Sequence, residues 1–194
     1  MSAELTPVDR VSDDTARARL VRLLYASVGF AALIYGGVLF PGLGGIEGQT
    51  PQLEAWYGYG LIFIGIVCPF ALGILAWTAP RRFVTRFAGS IALLFLVAMT
   101  LFPWGLGAST LTDNEVPWYQ GIHALHGMIA AIVWQRRAIW LYGIAQGIII
   151  GVVQNDVRDN AAKAAFLDGV GSLVFIVILM AATVAIIRAA DRLD

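Results

Sequence analysis

The sequence predicts an all-α, polytopic membrane protein, a bundle of six transmembrane helices with both termini cytoplasmic. Three observations predict this fold class. Of the 194 residues, 59% are hydrophobic and 13% charged, with mean hydropathy +0.76. Soluble domains carry about 25% charged and about 45–50% apolar residues. Six stretches are apolar over the length of helix, about 17–25 residues, that crosses a bilayer. The arginines, finally, fall in alternate connections between those stretches, as the positive-inside rule requires.

The expected spans are roughly 20–40, 57–78, 84–106, 117–135, 138–154 and 165–188. Residues 1–19 are expected to form a cytoplasmic tail, because Asp9, Asp13, Asp14, Arg10 and Arg17 make them polar. That stretch also lacks the short basic start and small-residue cleavage site of a signal peptide. The second span contains Cys68 and Pro69. A single cysteine precludes an intrachain disulfide, and Cys68 reads as a small buried hydrophobe. Pro69, and Pro103 near the end of the third span, each remove a backbone donor and are expected to kink their helices.

Trp134, Gln135, Arg136, Arg137 and Ala138 leave only a tight turn between the fourth and fifth spans. One continuous helix would place two arginines at mid-membrane at a cost of several kcal/mol, so two helices are expected. In the fifth span Gly143, Gly147 and Gly151 form a stripe that lets a neighbouring backbone approach closely. Packing inside the bundle is the preferred use of this stripe, and a homodimer seam is the alternative. Gln146, at mid-span, is expected to hydrogen-bond across helices. The sixth span runs without a breaker through FLDGVGSLVFIVILMAATVAII into RAADRLD. Residues 189–194 are therefore expected to begin a cytoplasmic connector helix.

Arg10, Arg17, Arg19, Arg22, Arg81, Arg82, Arg86, Arg136, Arg137, Arg188 and Arg192 all fall on one side of this topology, against Arg158 and Lys163 on the other. The richer side is assigned to the cytoplasm of a bacterial plasma membrane. Trp56, Tyr57, Tyr59, Trp104, Trp118 and Tyr119 cluster at span boundaries, where amphipathic rings anchor at the headgroups. The loops between them are too short for a folded external domain.

Zero net charge argues against nucleic acid, which requires a concentrated basic patch. The chain has no Walker A loop, GxSxG elbow, CxxC or dinucleotide fingerprint, so no catalytic residue is assigned and no cofactor is expected. The remaining chemistry sits in QGIHALHG, which holds both histidines, His123 and His126. Spacing of three puts them on nearly one helix face, in the half away from the arginines. A metal would need further ligands, drawn from Asp113, Glu115, Asp156, Asp159 and Asp168, but no HExxH-type motif joins them. Two readings are preferred to metal or haem. The histidines fill space and hydrogen-bond to a neighbouring helix, or they line a sensing pocket in which one of them meets Asp168 at the start of the sixth span.

Six short-looped helices ending in AFLDGVGSLVFIVILMAATVAIIRAADRLD resemble the N-terminal membrane region of actinobacterial sensor histidine kinases. The resemblance covers essentially the whole chain and centres on Asp168-Gly169 and the RAADRLD exit, with Arg188, Asp191 and Arg192 as signal-exit residues. It implies a sensory input domain whose last helix drives a downstream kinase domain and, through it, a response regulator. The resemblance implies neither catalytic residue nor phosphoacceptor histidine here. A small transporter or channel subunit is the alternative, with a haem- or quinone-linked redox subunit behind it.

Overall fold

The computed structural model describes residues 7–39, 41, 52–109, 122–153, 156–157 and 166–190, with side chains placed from residue 18 in the first helix and from 174 in the last. Every regular element among them is helical. Helix α1 spans Pro7–Ile34 and continues through a π-helical turn, Tyr35–Leu39. Helix α2 covers Ala55–Thr78 and contains a second such turn, Phe63–Val67. Then come α3, Arg81–Thr100, and a short α4, Phe102–Leu106. Helix α5 is Ile122–Val133, α6 is Arg136–Ile148 continued by a third π turn, Ile149–Val153, and α7 is Phe166–Ala190.

Three stretches, Ala18–Val38, Ala55–Thr78 and Arg81–Thr100, are long and apolar enough to cross a membrane. Ile122–Val133, Arg137–Val153 and Val174–Ala190 are apolar but shorter among the described residues. Large apolar side chains such as Phe30, Phe63, Leu93, Leu141 and Ile178 face outward, the surface expected of a bundle whose solvent is hydrocarbon.

Helix α5 is the centre of the bundle and touches every other long helix. Its sequence explains how so short a helix does this. Ala124, Gly127, Ala130 and Ala131 are small, so partners approach on several faces, and apolar residues all round make it a helix for burial. Met180 and Ile176 of α7 seat in the notch at Gly127, where an added Cβ would meet them at 3.0 and 3.2 Å. Helices α1 and α2 cross at Gly29 and Gly73. A Cβ on Gly29 would lie 2.9 Å from the Gly73 Cα, and one on Gly73 3.0 Å from the Gly29 Cα. Backbone of the two helices thus comes into direct contact at this crossing.

Several boundaries differ from the sequence-based expectation. Helix begins at Pro7, within the expected tail. The third span is not one helix: α3 ends at Thr100, and Pro103 sits in the first turn of the separate α4, where its missing N–H costs nothing. Gly105 of α4 then packs against the Tyr57 ring with no room for a side chain, and the Glu54 N–H donates to the Gly105 carbonyl at 2.7 Å. Pro69 does not break α2, since the wide turn just before it absorbs the missing donor. The turn between α5 and α6 falls at Trp134 and Gln135, as the arginine pair after it requires. Residues 117–121 of the expected fourth span lie outside the described residues.

Candidate functional site

The two histidines lie in the first turns of α5 and are completely interior, at 1% and 0% exposure. Phe95 of α3, itself fully buried, organises both. Its ring stacks on His126 with centroids 3.8 Å apart and planes 11° apart, and meets His123 edge-on at 5.0 Å and 77°. The spacing of three that puts both histidines on one face thus serves to grip one aromatic ring.

His126 also joins α5 to α2. Its Nε2 lies 3.3 Å from the Ile64 carbonyl oxygen, and its Nδ1 lies 3.0 Å from the Ile122 carbonyl oxygen one turn back in its own helix. The Ile64 carbonyl needs this partner for a reason written in the sequence of α2. In a regular α-helix it would accept from the Cys68 N–H, but in the π turn that N–H goes to the Phe63 carbonyl. Continued π geometry would call on residue 69, which is proline and has no N–H. An unpaired buried carbonyl costs about 1–3 kcal/mol, and the imidazole meets that need. A neutral ring has one N–H. Helical bonding already supplies Ile122 with the residue-126 N–H, so we assign the Nε2–H tautomer, donating to Ile64.

A second polar chain runs beside this layer. Tyr142 of α6 donates its hydroxyl to the Ala92 carbonyl of α3 at 3.1 Å, and the Gln146 Nε2 donates to the Tyr142 oxygen at 3.1 Å. Gln146 is 1% exposed, and its Oε1 has no hydrogen-bond partner among the described residues. Nearer the α4 end, the Tyr57 hydroxyl donates to the Ala98 carbonyl at 2.6 Å. Three helices therefore send a polar side chain to a backbone carbonyl of another helix, in each case a long-range bond inside an apolar bundle.

Among the other residues singled out in the sequence, Gly143 faces Met180 of α7, whose Cε would lie 3.4 Å from an added Cβ. Gly147 and Gly151 are half-buried. Cys68 is buried and free, in the core cluster with Tyr25, Leu72 and Ala88. Arg188 is exposed at the end of α7. The Asp168 side chain, Asp191, Arg192, Asp113, Glu115 and Asp159 lie outside the described residues, and Asp156 is exposed. Among the described residues, no group of three or more His, Cys, Asp or Glu side chains gathers as a metal site would. Both histidines are thus brought to Phe95, and His126 also to the α2 backbone. Sequence reasoning missed Phe95 and Ile64. The proline that deprives Ile64 of a donor was visible, but the π turn that makes it matter was not.

No family model matches the chain, and neither curated proteins nor solved structures yield a match.

Proposed function

We propose that the chain is the sensory input module of a bacterial signalling protein of the histidine-kinase type, a six-span bundle in the cytoplasmic membrane with its arginine end inside. In this reading the bundle detects a membrane-borne or external cue and passes it on as a movement of α7. The observation that carries the reading is how α7 is held. It packs chiefly on α5 and has an apolar cleft on either flank. One, about 340 Å³, lies between α6 and α7 along Ile139, Trp140, Val184 and Ala185. The other, about 300 Å³, lies between α7 and the α1, α2 and α5 side, along Phe175, Leu179, Ile34 and Met128.

A helix gripped along one face with space beside it has room to tilt or shift at little packing cost. Its one firm partner, α5, is tied in turn to α2 by His126 and to α3 by the Phe95 stack. A cue that favours one arrangement of α5 over another then shifts the population of α7 positions, provided it interacts differently with the two.

Residues 1–194 fused to a reporter histidine kinase, with one to four alanines inserted after Ile187, test the proposal. Autophosphorylation is expected to rise and fall with helical phase, and to return towards the parent level when the insertion approaches a full turn of about 3.6 residues. Equal output from every insertion would refute transmission through α7.

A further inference from the structure

The arginine end of the bundle holds a cavity of about 380 Å³, bordered by α1, α2, α3, α5 and the Ile187 end of α7. Its lining is more polar than that of the two clefts beside α7, of which one is bordered by a single arginine, Arg188, and the other by none. Arg22 from α1 and Arg81 from α3 both line the arginine-end cavity, joined by Thr85 and Gln135. Deeper in, the walls are Val21, Ala76, Val84 and Ile132. Tyr25 also lines it, only 3% exposed. The Tyr25 ring is buried, while its hydroxyl, within electrostatic reach of Arg81, is accessible from the cavity. It offers the cavity a hydrogen-bond donor.

Two helix starts add to the electropositive character. Helix α3 begins at this cavity, with Pro80 before Arg81, and α6 begins there after Gln135, whose side chain makes no capping bond. The unpaired amides of a helix N-terminus favour an anion. Two guanidiniums on separate helices, a hydroxyl donor and two helix starts all ask for the same thing. Guanidinium forks suit phosphate oxygens in particular, and the apolar depth suits a hydrocarbon body.

We infer that this cavity is a binding site for an anionic amphiphilic phosphate ester, its phosphate held by Arg22, Arg81 and Tyr25 and its apolar part lodged between α1, α2 and α5. A membrane phospholipid and a soluble phosphate ester present the same group. The site is independent of the signalling reading, because binding is measured without any downstream domain.

The full chain, purified in neutral detergent, would be titrated separately with phosphatidylglycerol, phosphatidylcholine and soluble glycerol phosphate, following thermal unfolding and, by native mass spectrometry, retained lipid. Phosphatidylglycerol is expected to raise the melting temperature by about 5 °C over phosphatidylcholine at saturation. An equal shift with glycerol phosphate alone would assign the soluble source, and no shift with it the lipid. The R22Q/R81Q variant should lose about tenfold or more in affinity, and Tyr25→Phe about threefold to tenfold. R82Q/R86Q removes the same charge from α3 residues that are exposed like Arg22 and Arg81 but lie outside the cavity, and should bind as the parent does. Two results would overturn the inference: equal weakening in R82Q/R86Q and R22Q/R81Q, which marks diffuse surface attraction, or no preference for either anionic phosphate compound over zwitterionic phosphatidylcholine.

Discussion

The histidine layer and the arginine-end cavity are both polar places inside an apolar bundle, and they are built on opposite terms. Around His126 the fit is closed: one face of the imidazole covers Phe95, its Nε2 meets a carbonyl left without a backbone donor, and no water-sized space is needed. Around Tyr25 the fit is open, with a donor, two cations and a cavity. A conspicuous residue type is therefore no guide to where a ligand goes. The His126 imidazole is satisfied by backbone, whereas the Tyr25 hydroxyl stands beside empty volume.

Substitutions break this contrast in graded steps. His126→Ala should have the largest effect, about 3 kcal/mol of lost stability, because it leaves the Ile64 carbonyl buried and unpaired and empties the space over Phe95. His126→Phe, which fills the space without a donor, should recover about half of that. Reversible unfolding in mixed micelles measures both, and equal stability of parent and His126→Ala would sink the brace. Gly73→Ala comes next at about 1–3 kcal/mol, since backbone on α1 cannot yield as a side-chain tip does. Gly143→Ala, facing the flexible end of Met180, should stay within about 0.5 kcal/mol, and the ordering of these two variants by thermal melting is the check. Tyr142→Phe should cost about 1 kcal/mol by removing one interhelical bond and stranding the Gln146 amide. A loss well above that would mean Tyr142 belongs with the histidine layer as one cooperative network.

Much of the helical architecture was legible because its signals are local. Apolar runs announced the helices, and Arg136 with Arg137 forced the turn after Trp134. What escaped depends on partners far apart in the chain. Gly29 and Gly73 each look incidental until the two helices cross, while the regular spacing of Gly143, Gly147 and Gly151 attracts notice although Gly143 has the looser contact. Pro103 was legible as a disruption, but whether it bends a helix or opens a new one is decided by the Tyr57 ring packed against Gly105. The histidines were legible as a pair on one face. The use made of His126 was not, because it lies in the hydrogen-bond pattern of a different helix.

The three wide turns, Tyr35–Leu39, Phe63–Val67 and Ile149–Val153, have a consequence for how such a chain tolerates insertions and deletions. Each holds one residue more than an α-helical turn would, and the first two meet where Gly36 lies against Ile66. Removing Phe63 would let α2 relax to regular geometry without turning its two ends relative to each other, and the Ile64 carbonyl would accept from the Cys68 N–H. The Ile64 carbonyl would then lose the setting that calls for an imidazole. A chain shortened by one residue there should keep its bundle and release His126 from its task. In this protein, the identity of a side chain on α5 is set by the length of α2.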